Sequence, residues 1–167
     1  MPRVTTLRML VAAVLAVGLL AGCGSARPAA RATPRPEPST LDARAVLARF
    51  TAAGLPLTNG AVQDDGTDPD DLLGHKDGYS SRASFDLAGG DAGADPYSID
   101  RGGVIEVWPD ASGAKARADH FAAQAKENAM MSPEHAYLSG PVLVRISGRV
   151  DPGVAAKFGA VVATLGA

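Results

Sequence analysis

The sequence predicts an α+β domain with a mostly antiparallel sheet of about four strands and three helices, in the order α-β-β-β-α-β-α. Two observations lead to this prediction. In three segments, apolar residues recur at the spacing of an amphipathic helix, and in the short segments between them apolar and polar residues alternate. Strands grouped in the middle of a chain and flanked by helices are typical of an antiparallel sheet with the helices packed on one face.

The first helix is predicted over residues 40–54. Ser39 or Thr40 can cap it, and Asp42 falls in its first turn, where the helix dipole favours an acid. Its apolar face is formed by residues at helical spacing, namely Leu41, Val46, Leu47, Phe50 and Ala53. Residues 57–63 follow as a short strand.

The clearest strand covers residues 79–87, where one set of mainly apolar side chains alternates strictly with Ser80, Arg82, Ser84 and Asp86. This alternation predicts a half-buried strand with one face in water. The Gly- and Asp-rich residues 88–98 are predicted to form a loop. The next strand is predicted over residues 103–108 and ends before Pro109.

The second helix is predicted over residues 110–130, and a strand follows over residues 137–147. Gly140 and Pro141 interrupt this strand, either as a bulge or as a tight turn that splits it in two. Because the strand is entered from a helix, we expect it to lie parallel to residues 103–108 through a right-handed crossover.

The last helix is predicted to begin at Asp151 and Pro152, since Asp is a favoured cap and Pro suits the first helical position. Its buried face contains Val154, Ala155, Phe158, Val161, Val162 and Leu165. All these elements fall within residues 40–167, which is a suitable length for a single domain.

Upstream of the domain, the apolar residues 9–21 end in Leu20-Ala21-Gly22-Cys23. This motif resembles the lipobox of bacterial lipoproteins, in which a branched apolar residue and two small residues precede the lipidated cysteine. The resemblance implies a signal peptide over residues 1–22, a diacylglycerol on the Cys23 thiol and cleavage just before it. One alternative, a transmembrane helix, needs about 20 apolar residues, and this run is shorter. The other, an ordinary secretory signal, needs a small-x-small cleavage site, which Ala21 and Cys23 match only weakly.

Cys23 is the only cysteine in the 167 residues, so the chain has no intramolecular disulfide. Acylation would account for a lone cysteine in an exported protein. After it, residues 24–39 are rich in proline, alanine and arginine and show no apolar period. With Cys23, they predict a disordered tether over residues 23–39 that lifts the domain off the membrane.

Charge and composition exclude one class of partner. Removal of a leader that carries two arginines and no acid changes the formal net charge from −2 to −4. No basic stripe with interleaved aromatic residues occurs in the chain, so nucleic acid is not an expected ligand.

Three stretches of the domain carry a second resemblance. They read TDPDDLLGHKDGYSSR at residues 67–82, GGVIEVW at residues 102–108 and KARADHF at residues 115–121. They are similar to a group of small uncharacterised lipoproteins from actinobacteria, which tend to carry TDPNxLLGRPxGYxSK, GGxIEVF and KARADY at these places. This sequence departs from the group at residues 70–71 and 75–76. The group has no activity to carry over, so the resemblance bears on fold and compartment only.

The acidic loop, residues 64–71, is the first candidate for chemistry. It carries five possible oxygen ligands for Ca²⁺: Asp64, Asp65, Asp68, Asp70 and Asp71. Their spacing lacks the central glycine and terminal glutamate of an EF-hand. Like charges on a turn are more often simply solvated, so this hypothesis describes a weak calcium site.

An enzymatic hypothesis rests on Glu106, the only acid placed on a predicted strand as glycoside hydrolases often place theirs. The alternative for Glu106 is an ordinary outward position on the strand. No nucleophile motif or zinc spacing occurs among the serines and histidines. The sequence names no catalytic residue and no cofactor apart from the lipid.

These observations lead to one functional prediction and two alternatives. The prediction is a lipoprotein on the outer face of the cytoplasmic membrane, whose domain is a non-enzymatic binding or scaffolding module for an envelope protein or wall polymer. The first alternative is a small envelope hydrolase that acts on wall polymer. The second is a weak calcium-binding domain that uses the acidic loop.

Overall fold

A computed structural model describes residues 41–128, 131 and 133–166, all within the unit Glu37–Ala167. The predicted signal peptide, Cys23, the tether and the predicted caps Ser39 and Thr40 lie outside the described residues, as do residues 129 and 130 at the predicted end of the second helix. No helix in the described part of the chain combines the length and the apolar character needed to cross a membrane.

The described elements are three α-helices, five strands and one short 3₁₀ helix. The helices are α1 (Ala43–Ala52), α2 (Ala111–Glu127) and α3 (Pro152–Val162), and the 3₁₀ helix is Ile99–Arg101. The strands are β1 (Leu57–Val62), β2 (Ser81–Leu87), β3 (Gly102–Val107), β4 (His135–Ser139) and β5 (Val142–Ile146). The α+β prediction is confirmed, with five strands in place of about four.

The strands form one antiparallel sheet in the order β1-β2-β3-β5-β4. The fifth strand arises because Gly140, with φ 54°, and Pro141 form a tight turn between the paired residues Ser139 and Val142. The predicted parallel crossover is wrong, since β5 pairs antiparallel with β3. The chain leaves α2 into the edge strand β4 and only then turns back into β5.

The first face of the sheet is covered by α1 and α3. Their contact with the sheet is centred on three buried aromatic rings: Phe85 stacks on Phe158 at 5.2 Å, and Phe50 meets both rings edge-on. Asp42 is the N-cap of α1 and accepts a hydrogen bond from Ala45 N, so its predicted place in the first turn is wrong, because the helix begins only at Ala43. Asp151 caps α3 as predicted. This face contains the main hydrophobic core.

The second face of the sheet is covered by α2, so the prediction that the helices share one face is wrong. A smaller core forms here from Tyr79, Trp108, Ala114, Ala118 and Leu143. The predicted wet face of residues 79–87 is also wrong at Arg82 and Ser84, which are buried. Alternating polar side chains in a strand predict a face that is exposed to solvent. Here the polar side chains are buried and form hydrogen bonds with protein groups instead of water.

Candidate functional site

The second face of the sheet contains three buried charges on three neighbouring strands. Arg82 lies on β2, Glu106 on β3 and Arg145 on β5. In the register of β2 and β3, Arg82 is directly opposite Glu106. Their exposed side-chain fractions are 2%, 0% and 3%. A buried charge is costly unless it is paired and hydrogen-bonded, so the surroundings of these three groups determine whether the face is stable.

Glu106 lies at the centre of the cluster and is held by groups from three sides. Arg145 Nη2 donates to Glu106 Oε1 at 2.9 Å, and Arg117 Nε lies 3.5 Å from Oε2. Trp108 Nε1 donates to Oε2 at 3.3 Å. Because Arg117 belongs to α2, the carboxylate joins the helix to the sheet.

Arg145 extends the cluster towards the segment that precedes β4. Its Nη1 donates to both oxygens of Glu134, at 3.1 and 2.9 Å. Burial lowers the pKa of Arg145, but the nearby Glu106 and Glu134 outweigh it, so the pKa rises above its usual value. Arg145 is therefore a permanent cation.

Phe121 of α2 contacts two of the guanidinium groups. Its ring centroid is 3.8 Å from the guanidinium carbon of Arg145 and 4.5 Å from that of Arg117. The buried Nε atoms of both arginines lack a hydrogen-bond partner among the described residues. Attraction to the aromatic ring compensates part of this loss, because the face of the ring is electron-rich.

Arg82 connects the cluster to the acidic loop. Its terminal nitrogens donate to Gln63 Oε1 at 2.9 Å and to the Tyr97 carbonyl at 3.1 Å. Its Nε lies 3.7 Å from Asp68 and 3.9 Å from Asp70. Asp70 in turn accepts a 2.7 Å hydrogen bond from Arg117. The acidic loop is thus bound to both the sheet and α2.

Asp68 organises the loop itself. Its buried carboxylate accepts hydrogen bonds from the backbone N–H groups of Leu72 and Leu73 and from the Tyr79 hydroxyl. Burial raises the pKa of Asp68, but these three hydrogen bonds and a fourth from the Asp70 backbone N–H outweigh it and place the pKa below its ordinary value. For Tyr79, burial and the bond to Asp68 raise the pKa, which keeps the hydroxyl a donor.

The five aspartates of the calcium hypothesis do not converge on one point. Asp64 accepts hydrogen bonds from Thr67 and Gly66 of its own turn, whereas Asp68 and Asp70 face the arginines. Asp65 and Asp71 are exposed. In the part of the chain that the structure describes, no three Asp, Glu, His or Cys side chains are grouped so that they could hold a metal. Calcium binding remains a prediction.

The expected outward position of Glu106 is wrong, because its side chain has no exposed surface. The reason is that α2 and the acidic loop cover the second face of the sheet. A glycosidase acid must reach the oxygen of the bond that it cleaves. In this structure Glu106 is enclosed by Trp108 and two arginines, so its geometry does not support the hydrolase alternative.

Part of the network lines an open cavity of about 300 Å³, which we call the charged cleft. Arg82 and Arg145 lie at its base, and Asp95, Ile99, Phe121 and Glu134 are among the residues that line it. It adjoins a second cavity of about 320 Å³, the apolar groove, which lies between α2 and β4 and is lined by Ala122, Ala125 and Ala136. Phe121, Met131 and Glu134 line both cavities.

Comparison with known proteins identifies no relative. No family model, no curated protein and no solved structure matches this chain. The function must therefore be argued from its own residues.

Sequence reasoning named Glu106 and the acidic loop but missed the arginines that bind them. A signal was present: Arg145 stands among four apolar residues in VLVRI, and Glu106 is enclosed by apolar neighbours in the same way. A single charge inside a run that is otherwise buried on both faces indicates an opposite charge across the sheet. The partners Arg117 and Glu134 had no comparable signal.

We expect Glu106→Gln to lower the free energy of unfolding by about 3 kcal/mol, the lower end of the range for a broken buried ion pair, because Arg145 and Arg117 then keep only the partly exposed Glu134 and Asp70 as counter-charges. Chemical denaturation of the two proteins measures the difference. Asp119→Asn provides the matched control, since Asp119 is paired with Lys115 on the exposed surface of α2. The control should cost less than about 1 kcal/mol. Equal losses in the two variants would refute the structural role of the network.

We expect the stability of the domain to fall as the pH drops below about 4. The folded pKa of Asp68 lies below its ordinary value of 3.8, so its stabilising contribution is fully present above that value and is lost as the pH falls through the folded pKa. Asp68→Asn should flatten this acid dependence without abolishing it, because the pKa of Asp86 is also lowered, chiefly by Arg101. Urea unfolding between pH 2 and 7, with exposed Asp65→Asn as the control, provides the test.

Proposed function

We propose that this protein is a lipoprotein that is anchored through Cys23 on the outer face of the cytoplasmic membrane and binds an envelope component in the charged cleft. The anchor is supported by one observation, the motif Leu20-Ala21-Gly22-Cys23 at the end of an apolar run. Two acyl chains on Cys23 would hold the protein on a bilayer much more firmly than one. Residues 23–39 would span at most about 55 Å, at ~3.3 Å per residue.

The binding role is supported by the shape and rigidity of the charged cleft. Its floor consists of side chains that are already fixed by hydrogen bonds to one another, such as the Arg145–Glu134 and Arg145–Glu106 pairs. A ligand therefore needs to order few protein groups when it binds, which favours affinity. Concave sites with an apolar part and a few fixed polar groups are the usual form of a ligand site.

The accessible charge in the cleft is negative. Arg82 and Arg145 are buried at the base, whereas the side chains of Asp70 and Glu134 are 32% and 14% exposed, and Asp95 is exposed. Phe121 and Met131 add an apolar surface. This lining favours a ligand that carries an amine or other hydrogen-bond donors next to an apolar part, such as a protein segment or the peptide part of a wall polymer.

The first expected outcome concerns the anchor. Cys23→Ser should abolish incorporation of a labelled fatty acid and move the protein from the membrane fraction to the soluble fraction. Ser39→Ala lies in the same N-terminal region but outside the motif and should change neither result. Fatty-acid labelling that survives in Cys23→Ser would refute lipidation at this residue.

The second expected outcome concerns the cleft. A photoreactive amino acid at Asp95, on the rim of the cleft, should crosslink an envelope component in living cells, whereas the same group at the exposed Arg44 of α1 should not. The photoreactive group can also be placed at Ser98, which lines the cleft. From that position, the double variant Asp70→Asn, Asp95→Asn should capture less of a cationic partner than the protein with both aspartates. Equal capture at Ser98 and Arg44 would show that the cleft is not the binding site.

A further inference from the structure

The edge strand β4 has peptide groups that the sheet leaves unpaired. Trp108 N donates to the Pro141 carbonyl and Ser147 N donates to the Gly102 carbonyl, so the odd-numbered residues of β5 bond to β3 and the even-numbered ones bond to β4. In β4, the partners of these even-numbered residues are His135, Tyr137 and Ser139. The peptide groups of Ala136 and Leu138 therefore point away from the sheet.

The two edges of the sheet differ in how they are protected. At the other edge, the pairing of β1 shifts between Thr58 and Ala61, and Asn59 there has a positive φ of 49°. Such an irregularity hinders pairing with another strand. β4 is regular over its five residues and contains no proline, lysine or carboxylate.

The side chains on the open edge are apolar. Leu138 is 44% exposed and is the one exposed large hydrophobic side chain among the described residues. Ala136, which is also exposed, lines the apolar groove between β4 and α2. Both residues lie on the second face of the sheet, opposite Arg145 and Leu143. An unprotected edge with apolar side chains is a surface for one more strand.

We propose that β4 pairs antiparallel with β4 of a second copy of this chain, so that two five-stranded sheets join into one of ten strands. The outward peptide groups allow only registers in which Ala136 and Leu138 bond to outward groups of the second copy, and among these the register that places Ala136 opposite Leu138 pairs all five residues of both strands. This register is centred on Tyr137 and is symmetric, as a twofold interface requires. It brings apolar side chains together beside each apolar groove and places no like charges opposite one another.

In the proposed dimer, both copies can be anchored in the same membrane. This inference rests on the lipidation of Cys23 proposed above. When antiparallel edge strands join two sheets, the twofold axis is perpendicular to the sheet, so the first faces of both copies are on the same side. Each α1 lies on that face and begins next to β2, where Ala43 N donates to Ser81 Oγ. Anchoring would raise the local concentration, which strengthens an interface as short as five residues.

The test uses full-length protein carrying two different tags, and measures how much of one tagged copy is recovered with the other. Ala136→Lys with Leu138→Lys should reduce recovery at least about tenfold, because the register then places two pairs of like charges opposite each other. Ala136→Glu with Leu138→Glu should do the same. When the Lys and Glu variants are expressed together, recovery should return to within about twofold of the original level.

Restored recovery in the mixed pair would exclude misfolding as the cause of the loss, and Thr58→Lys on the other edge should leave recovery unchanged. Undiminished recovery in the Lys variant, or no restoration in the mixture, would overturn the proposal. Capture of a different protein in place of the second copy, through a photoreactive group at Leu138, would also overturn it. The same measurement on Cys23→Ser at high protein concentration separates the interface from the anchor, since charge-swap restoration there needs no lipid.

Discussion

The placement of α2 over the second face of the sheet depends on Glu106, a carboxylate with no exposed surface. A charge in that position must be matched, and the groups that match it come from α2, β5 and, through Arg117 and Asp70, the acidic loop. Of these segments, α2 and the acidic loop have little apolar surface of their own: the stripe of α2 is mostly alanine, and the nearest apolar side chains to the loop are the partly buried Leu72 and Leu73 that follow it. Charge pairing therefore decides where they lie, while the aromatic core of the first face supplies most of the hydrophobic stabilisation.

A buried ion network of this kind is weak evidence for stability by itself, because desolvation of each ion offsets much of the attraction. Its effect is on specificity. Arg145 has one arrangement that serves both Glu106 and Glu134, and Phe121 covers the guanidinium groups that remain unpaired at Nε. Alternative positions for α2 would leave at least one of these charges without a partner. The floor of the charged cleft is consequently rigid, although the side chains that form it are of the kinds that are flexible on a surface.

The sequence was sufficient to predict the helices and strands that have a clear periodic pattern or a strong capping residue. The apolar stripe of α1, the alternation of β2 and the cap of α3 at Asp151 all correspond to described elements. Periodicity could not predict that the second face is buried. The positions of Arg82 and Glu106 in the sequence pattern are the same whether their side chains contact water or an oppositely charged group. It also did not decide whether Gly140 and Pro141 form a bulge or a tight turn. They form a turn, and that turn determines both the number of strands and the direction of β5. The site itself depends on pairs such as Arg117 and Asp70, which are 47 residues apart, and no local pattern contains them.

For the acidic loop, partners that are distant in sequence weaken the case for calcium binding. Read by itself, a run of five aspartates has the chemistry of a calcium ligand set. In the structure, Asp64 accepts hydrogen bonds from its own turn, Asp68 accepts them from backbone N–H groups and Tyr79, and Asp70 accepts one from Arg117. Three of the five carboxylates therefore already have protein donors in the place where a cation would be. The carboxylates that remain accessible are separated, at the rim of the cleft and on the outer turn. The two proposed contacts with other molecules therefore use other features: the cleft above the arginines, and the open edge of β4, where unpaired peptide groups and an exposed Leu138 favour pairing with another strand.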